Sequence, residues 1–63
     1  MIYVMLYTDS DGQQRESMPG SMEELIRLFY DSDARSGTIY NRRSLQMFHA
    51  GIRKYAPVEI ARL

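Results

Sequence analysis

The chain has 63 residues, 44% of them hydrophobic and 25% charged, and its formal net charge is zero. This length suits a single domain over residues 1–63, and the composition is that of a globular protein rather than a disordered one. The absence of cysteine excludes disulfides and thiolate metal sites, which favours a cytoplasmic protein over a small secreted one.

The first predicted element is a strand over residues 2–8, which are mostly β-branched or aromatic. Because both of its faces are apolar, we expect it either to lie at the centre of a sheet or to have its second face covered. The apolar run is far shorter than the roughly 20 residues of a membrane span, and no basic segment precedes it, so neither a span nor a signal peptide is expected.

A hairpin follows this strand, because Asp11-Gly12 tolerates the positive φ angles of a tight turn. With these two as the turn residues, the return strand over residues 13–18 places Glu16 opposite Tyr7. The polar composition of the return strand predicts an edge position.

A helix is predicted to begin after Ser21, which forms a capping box with Glu24. Its spacing predicts one apolar stripe toward the core, consisting of Met22, Leu25, Ile26 and Phe29. Residues 31–37 form a loop by composition, and residues 38–40 are either a short strand or an extended linker.

A second helix is predicted to begin at Asn41 or Ser44 and to continue until Pro57 ends it, with Gly51 in its interior. Its apolar residues are Leu45, Phe48, Ile52 and Tyr55. Residues 58–63 predict a closing strand beside the first strand. The expected fold class is therefore α+β, in the order β-β-α-(β)-α-β, with both helices on one face of a small, mainly antiparallel sheet.

Charge is unevenly distributed along the chain. Residues 1–33 contain seven acidic and two basic residues and carry −5, whereas residues 34–63 contain six basic residues and one acidic residue and carry +5. Either the two halves neutralise each other within the fold, or each presents a charged patch to a partner of opposite sign.

Two groups of side chains are candidate partner-binding residues. The first is a helical stripe typical of phosphate or carboxylate recognition, consisting of Arg42, Gln46, His49 and Arg53 with Arg43 beside them. The second is a strand face rich in the residue types found at protein interfaces, consisting of Tyr3, Met5 and Tyr7. A solvated helix face and ordinary core filling are the respective alternatives.

These features favour a non-enzymatic module that binds another protein. A nucleic-acid-binding regulator using the basic stripe is the alternative, disfavoured by the zero net charge. The sequence contains no recognisable catalytic grouping, cofactor motif or metal-ligand set, so no enzymatic activity, cofactor or metal is expected. In size and lack of cysteine the chain is similar to compact accessory proteins of phages and other mobile elements, a similarity that implies a stoichiometric inhibitor or regulator.

Self-association as a homodimer is also expected. A domain of this size without disulfides has a small core and is often stabilised by association. Either the face formed by Tyr3, Met5 and Tyr7 or the two oppositely charged halves of the chain would supply the contact. In the first case an aspartate at Tyr3 or Met5 would dissociate the dimer, and in the second case high salt would do so.

Overall fold

A computed structural model describes residues 1–52 and 57–62. Its elements, in chain order, are β1 (Tyr3–Thr8), β2 (Gln14–Glu16), α1 (Met22–Asp31), β3 (Ser36–Asn41), α2 (Arg42–His49) and β4 (Val58–Ala61). The strands form one antiparallel sheet in the spatial order β2-β1-β3-β4. The predicted α+β class and the predicted order of elements are confirmed.

The core lies between the sheet and α1. Met5, at the centre of β1, is 0% exposed and pairs with Ile39 of β3. Leu25 and Phe29 of α1 pack against this pair, so the predicted apolar stripe of the first helix faces the core. The central position predicted for the first strand is confirmed, because β1 lies between β2 and β3.

The hairpin differs by one residue from the predicted register. Glu16 pairs with Leu6 instead of Tyr7, because the turn has three residues between Asp9 and Gln13 rather than two. Gly12 takes φ = 82°, the left-handed conformation that follows a turn in a three-residue hairpin loop. A one-residue shift moves Glu16 to the opposite face of the sheet from the one predicted.

The Asp9 side chain determines this turn. Its Oδ1 accepts hydrogen bonds from the backbone N–H groups of Asp11 and Gln13, each at 2.9 Å. Its Oδ2 accepts a bond of 2.6 Å from Nε of Arg15. These bonds, the one from Arg15 first, lower the pKa of the Asp9 carboxyl below its ordinary value of 3.8.

Residues 38–40, predicted as either a strand or a linker, belong to β3. Because β3 is part of the sheet, the closing strand takes a different position from the predicted one. β3 pairs with β1 on one side and with β4 on the other. β4 is therefore a strand as predicted, but it lies beside β3 and not beside the first strand. Gly37 packs closely under Met5, because a Cβ there would lie 3.1 Å from the Met5 sulfur and the Met5 side chain would have to shift.

The prediction that both helices lie on one face of the sheet is wrong, because α1 and α2 lie on opposite faces. Ile39 packs in the cluster under α1, whereas the next residue, Tyr40, stacks on Phe48 of α2 with ring centroids 5.1 Å apart. Successive residues of a strand point to opposite faces. A helix that starts directly after β3 and packs against Tyr40 therefore lies opposite α1.

Side chains complete the hydrogen bonding at the helix ends. The predicted Ser21–Glu24 capping box begins α1, and the bonds from Ser21 lower the pKa of the Glu24 carboxyl. At the other end, the Arg62 guanidinium donates to the carbonyl oxygens of Phe29 at 2.8 Å and Ala34 at 2.7 Å. A cation at a helix C-terminus also interacts favourably with the helix dipole.

The second helix is shorter than predicted. Asn41 caps it, as one of the two predicted alternatives, and forms a capping box with Ser44. It ends at His49 with Ala50 as its C-cap. Gly51, the next residue, takes φ = 78°, and the N–H of Ile52 donates to the carbonyl of Met47 at 2.8 Å. This bond pattern is a Schellman motif, in which glycine is the favoured residue after the cap. Gly51 thus ends the helix instead of lying inside it.

Replacing Asp9 with Asn is expected to lower stability at neutral pH by removing the ionic bond to Arg15. Because folding depresses the pKa of Asp9, its stabilising effect is present above the unfolded value of 3.8 and is lost as pH falls through the lower folded value. The melting temperatures of the wild-type and Asp9→Asn proteins should therefore differ at pH 7 and converge in strong acid. Asp11→Asn, at an exposed carboxylate in the same turn, is the control. Equal melting temperatures for wild type and Asp9→Asn at pH 7 would contradict this role.

Candidate binding surface

The inner face of α2 is fixed to the sheet by apolar side chains. Phe48 packs on Tyr40, which is only 8% exposed. Leu45 and Met47 are half-buried on the same helix. This packing determines which residues of α2 face outward.

The outward face of α2 carries the predicted stripe. Arg42, Gln46 and His49 are all exposed, as expected for positions separated by four and three residues on one side of a helix. Arg43 is exposed at the flank of this row. Arg53, the last member of the predicted stripe, lies outside the described residues.

An apolar patch adjoins the start of α2. Met1 is 90% exposed and Ile2 is 64% exposed. Both line a shallow surface groove together with Asn41, Arg42 and Arg43. We call this combined area, which consists of Met1, Ile2, Arg42, Arg43, Gln46 and His49, the α2 surface. Met1 and Ile2 are not recognisable as surface residues from the sequence, because Ile2 belongs to an apolar pattern typical of a strand and its exposure depends on how the sheet is covered.

The other predicted binding residues lie mostly in the core. Met5 is fully buried, and Tyr3 and Tyr7 are half-buried against the same cluster. The strand face that they form is covered by α1. Met5 is therefore not available to a partner, and the aspartate substitutions considered for a dimer contact would disrupt folding instead. A tyrosine that does reach the surface is Tyr30, which is 55% exposed on α1.

A second groove lies on the α2 side of the sheet, beyond the end of the sheet that α2 covers. An eight-residue helix is about 12 Å long, whereas β1 with six residues extends about 20 Å. The uncovered part of the sheet is an open groove of about 460 Å³. We call it the sheet groove; its lining includes Leu6, Thr8, Gln14, Thr38, Phe48 and Glu59.

The charges of the sheet groove differ from those of the α2 surface. Glu59 pairs with Thr38, and Glu16 pairs with Leu6, so both glutamates project from the α2 side of the sheet. Both are exposed. The α2 surface carries Arg42 and Arg43. One side of the sheet thus holds a basic helix next to a groove that is lined by Glu59 and has Glu16 opposite its lining residue Leu6.

Within residues 1–52 and 57–62, neither Asp9 nor Arg62 forms an ion pair between the acidic and the basic half of the chain. Asp9 binds Arg15, which belongs to the same half of the chain. Arg62 donates to backbone carbonyl groups at the end of α1. Glu16, Glu59 and Arg42 remain at the surface, where a partner could reach them.

No group of three or more His, Asp or Glu side chains within residues 1–52 and 57–62 is arranged to hold a metal ion. In the same ranges, no helix has the length and apolar character needed to cross a membrane. Comparison with protein-family models, with curated proteins and with solved structures finds no match to this chain. The proposed role of the α2 surface therefore rests on its geometry and charge.

Phe48→Ala is expected to release α2 from the sheet, because Phe48 stacks on Tyr40. The side chain is half-buried, so we expect a loss of about 2 kcal/mol in the free energy of unfolding, below the range for fully buried Phe. Urea unfolding followed by circular dichroism measures this loss. Gln46→Ala, on the outward face of the same helix, should change the free energy of unfolding by less than about 0.5 kcal/mol. Equal effects of the two substitutions would show that α2 is not held by its inner face.

Proposed function

We propose that this chain is a non-enzymatic protein-binding module that contacts an acidic partner surface through its α2 surface. The observation that supports this most directly is the exposed row of Arg42, Gln46 and His49 beside the exposed apolar residues Met1 and Ile2. Arginine next to exposed apolar side chains is typical of protein interfaces, where the guanidinium binds carboxylates and the apolar groups exclude water.

Protein is favoured over nucleic acid as the partner for two reasons. The chain has no net charge, whereas binding of phosphate backbones depends on a concentrated positive patch. In addition, the groove at the start of α2 is partly formed by the apolar side chains of Met1 and Ile2, which do not bind phosphate. Stoichiometric inhibition or regulation of a larger complex in the cytoplasm, as expected from the sequence, belongs to the same proposal.

Fluorescence anisotropy with a labelled peptide of alternating glutamate and leucine tests this role. We expect saturable binding that weakens as salt is raised, because the contact includes exposed charges. Arg42→Gln should weaken binding about fivefold, equivalent to about 1 kcal/mol. Glu23→Gln, an exposed change of charge on α1, is the matched control and should leave binding unchanged.

The same anisotropy assay also tests nucleic acid, the alternative partner. Tighter binding of duplex DNA or single-stranded RNA than of the acidic peptide at equal salt, with Arg42→Gln weakening it, would replace this proposal with a nucleic-acid-binding role. Absence of binding to all three probes, or equal affinity of wild type and Arg42→Gln for the peptide, would contradict a role for the α2 surface.

A further inference from the structure

The α2 side of the sheet has a shape that is complementary to itself. α2 covers the end of the sheet that contains Tyr40 and leaves the sheet groove open at the end that contains Thr8. One end of this side is therefore raised by a helix, and the other end is a depression of about 460 Å³. Two such surfaces fit together if each helix occupies the depression of the other.

The charges of the same surface are also complementary. The outward face of α2 presents the positive charge of Arg42, while the sheet side around the groove presents Glu16 and Glu59. The groove also contains the half-buried apolar side chains of Leu6 and Phe48, which would leave water when covered. A ligand that fits the groove is thus a basic helix with a polar outward face.

We propose that the partner of the α2 surface is a second copy of this chain, with α2 of each copy docked in the sheet groove of the other. This inference rests on the proposed function, since it uses the same helix face, and it names the partner. The helix and the groove lie on one side of the sheet, so both contacts of the pair form at once.

A two-fold axis produces this arrangement. If the axis runs between the two sheets and across the strands, it places the raised end of one copy over the open end of the other. Every contact from α2 to the groove then occurs twice, as in the isologous interfaces of most dimers. The layers would be α1, sheet, the two α2 helices, sheet and α1. The helix α1 does not take part in this docking, because it lies on the face of the sheet opposite α2 and the sheet groove.

The proposal predicts a charge-swap result. The helix variant Arg42→Glu with Gln46→Glu makes the docked face acidic, and the groove variant Glu16→Arg with Glu59→Arg makes the sheet side basic. Each variant alone should raise the dimer dissociation constant at least tenfold, because like charges would then face each other in both contacts. Mixed in equal amounts, the two variants should form a heterodimer, because both contacts are again between opposite charges.

Analytical ultracentrifugation measures all four samples, with circular dichroism to verify folding. A wild-type sedimentation mass equal to one chain at high micromolar concentration overturns the proposed dimer. The proposed function stands in that case if the acidic peptide still binds. A wild-type dimer that is unaffected by either variant also overturns it. So does a mixture of folded variants that stays monomeric.

If the charge variants fail to fold, a cross-linking experiment tests whether α2 of one copy docks in the sheet groove of the other. The chain has no cysteine, so single cysteines can be introduced at exposed sites. Under mild oxidation, a Gln46→Cys chain mixed with a Gln14→Cys chain should form a mixed disulfide between helix and groove. Glu23→Cys, on α1, replaces Gln46→Cys in the control and should not cross-link to Gln14→Cys. Equal cross-linking of both pairs would contradict the docking.

Discussion

The structure depends on β3, which supplies packing residues to both faces of the sheet. Ile39 is buried under α1, and Tyr40 is buried under α2. Because successive side chains of a strand alternate, an apolar pair in the middle of β3 requires a helix on each side. Asn41 then ends the strand by pairing with Tyr3 and begins α2 as its N-cap. This double role leaves no linker between β3 and α2, so the start of the helix is fixed by the end of the strand.

The short length of α2 produces the candidate binding surface. The Schellman motif at Gly51, where φ = 78°, ends the helix after eight residues, and so the helix covers only one end of the sheet. The capping of α2 thus determines both the exposed basic row and the depression beside it, and the binding proposal depends on local backbone chemistry as much as on charge.

Elements whose signals are local were predictable from the sequence. The Ser21–Glu24 capping box, the apolar stripe of α1 and the exposed row on α2 depend on residues three or four apart, and the structure contains all of them. The hairpin register was not predictable from Asp11-Gly12 alone, because Asp9 selects a longer turn through its side chain. Long-range relations also escaped prediction. The burial of Met5 and the faces of the two helices follow from β3 inserting between β1 and β4, and pairing between distant strands leaves little local signal.

The placement of α1 and α2 on opposite faces of one sheet exposes the α2 surface and the sheet groove together. Nuclear Overhauser effects between aromatic and methyl protons test it most directly. With the helices on opposite faces, effects are expected between the rings of Phe48 and Tyr40, and between the ring of Phe29 and the methyl groups of Ile39. Effects from Phe48 to the Met5 methyl group or to the Phe29 ring would place both helices on one face and contradict this fold.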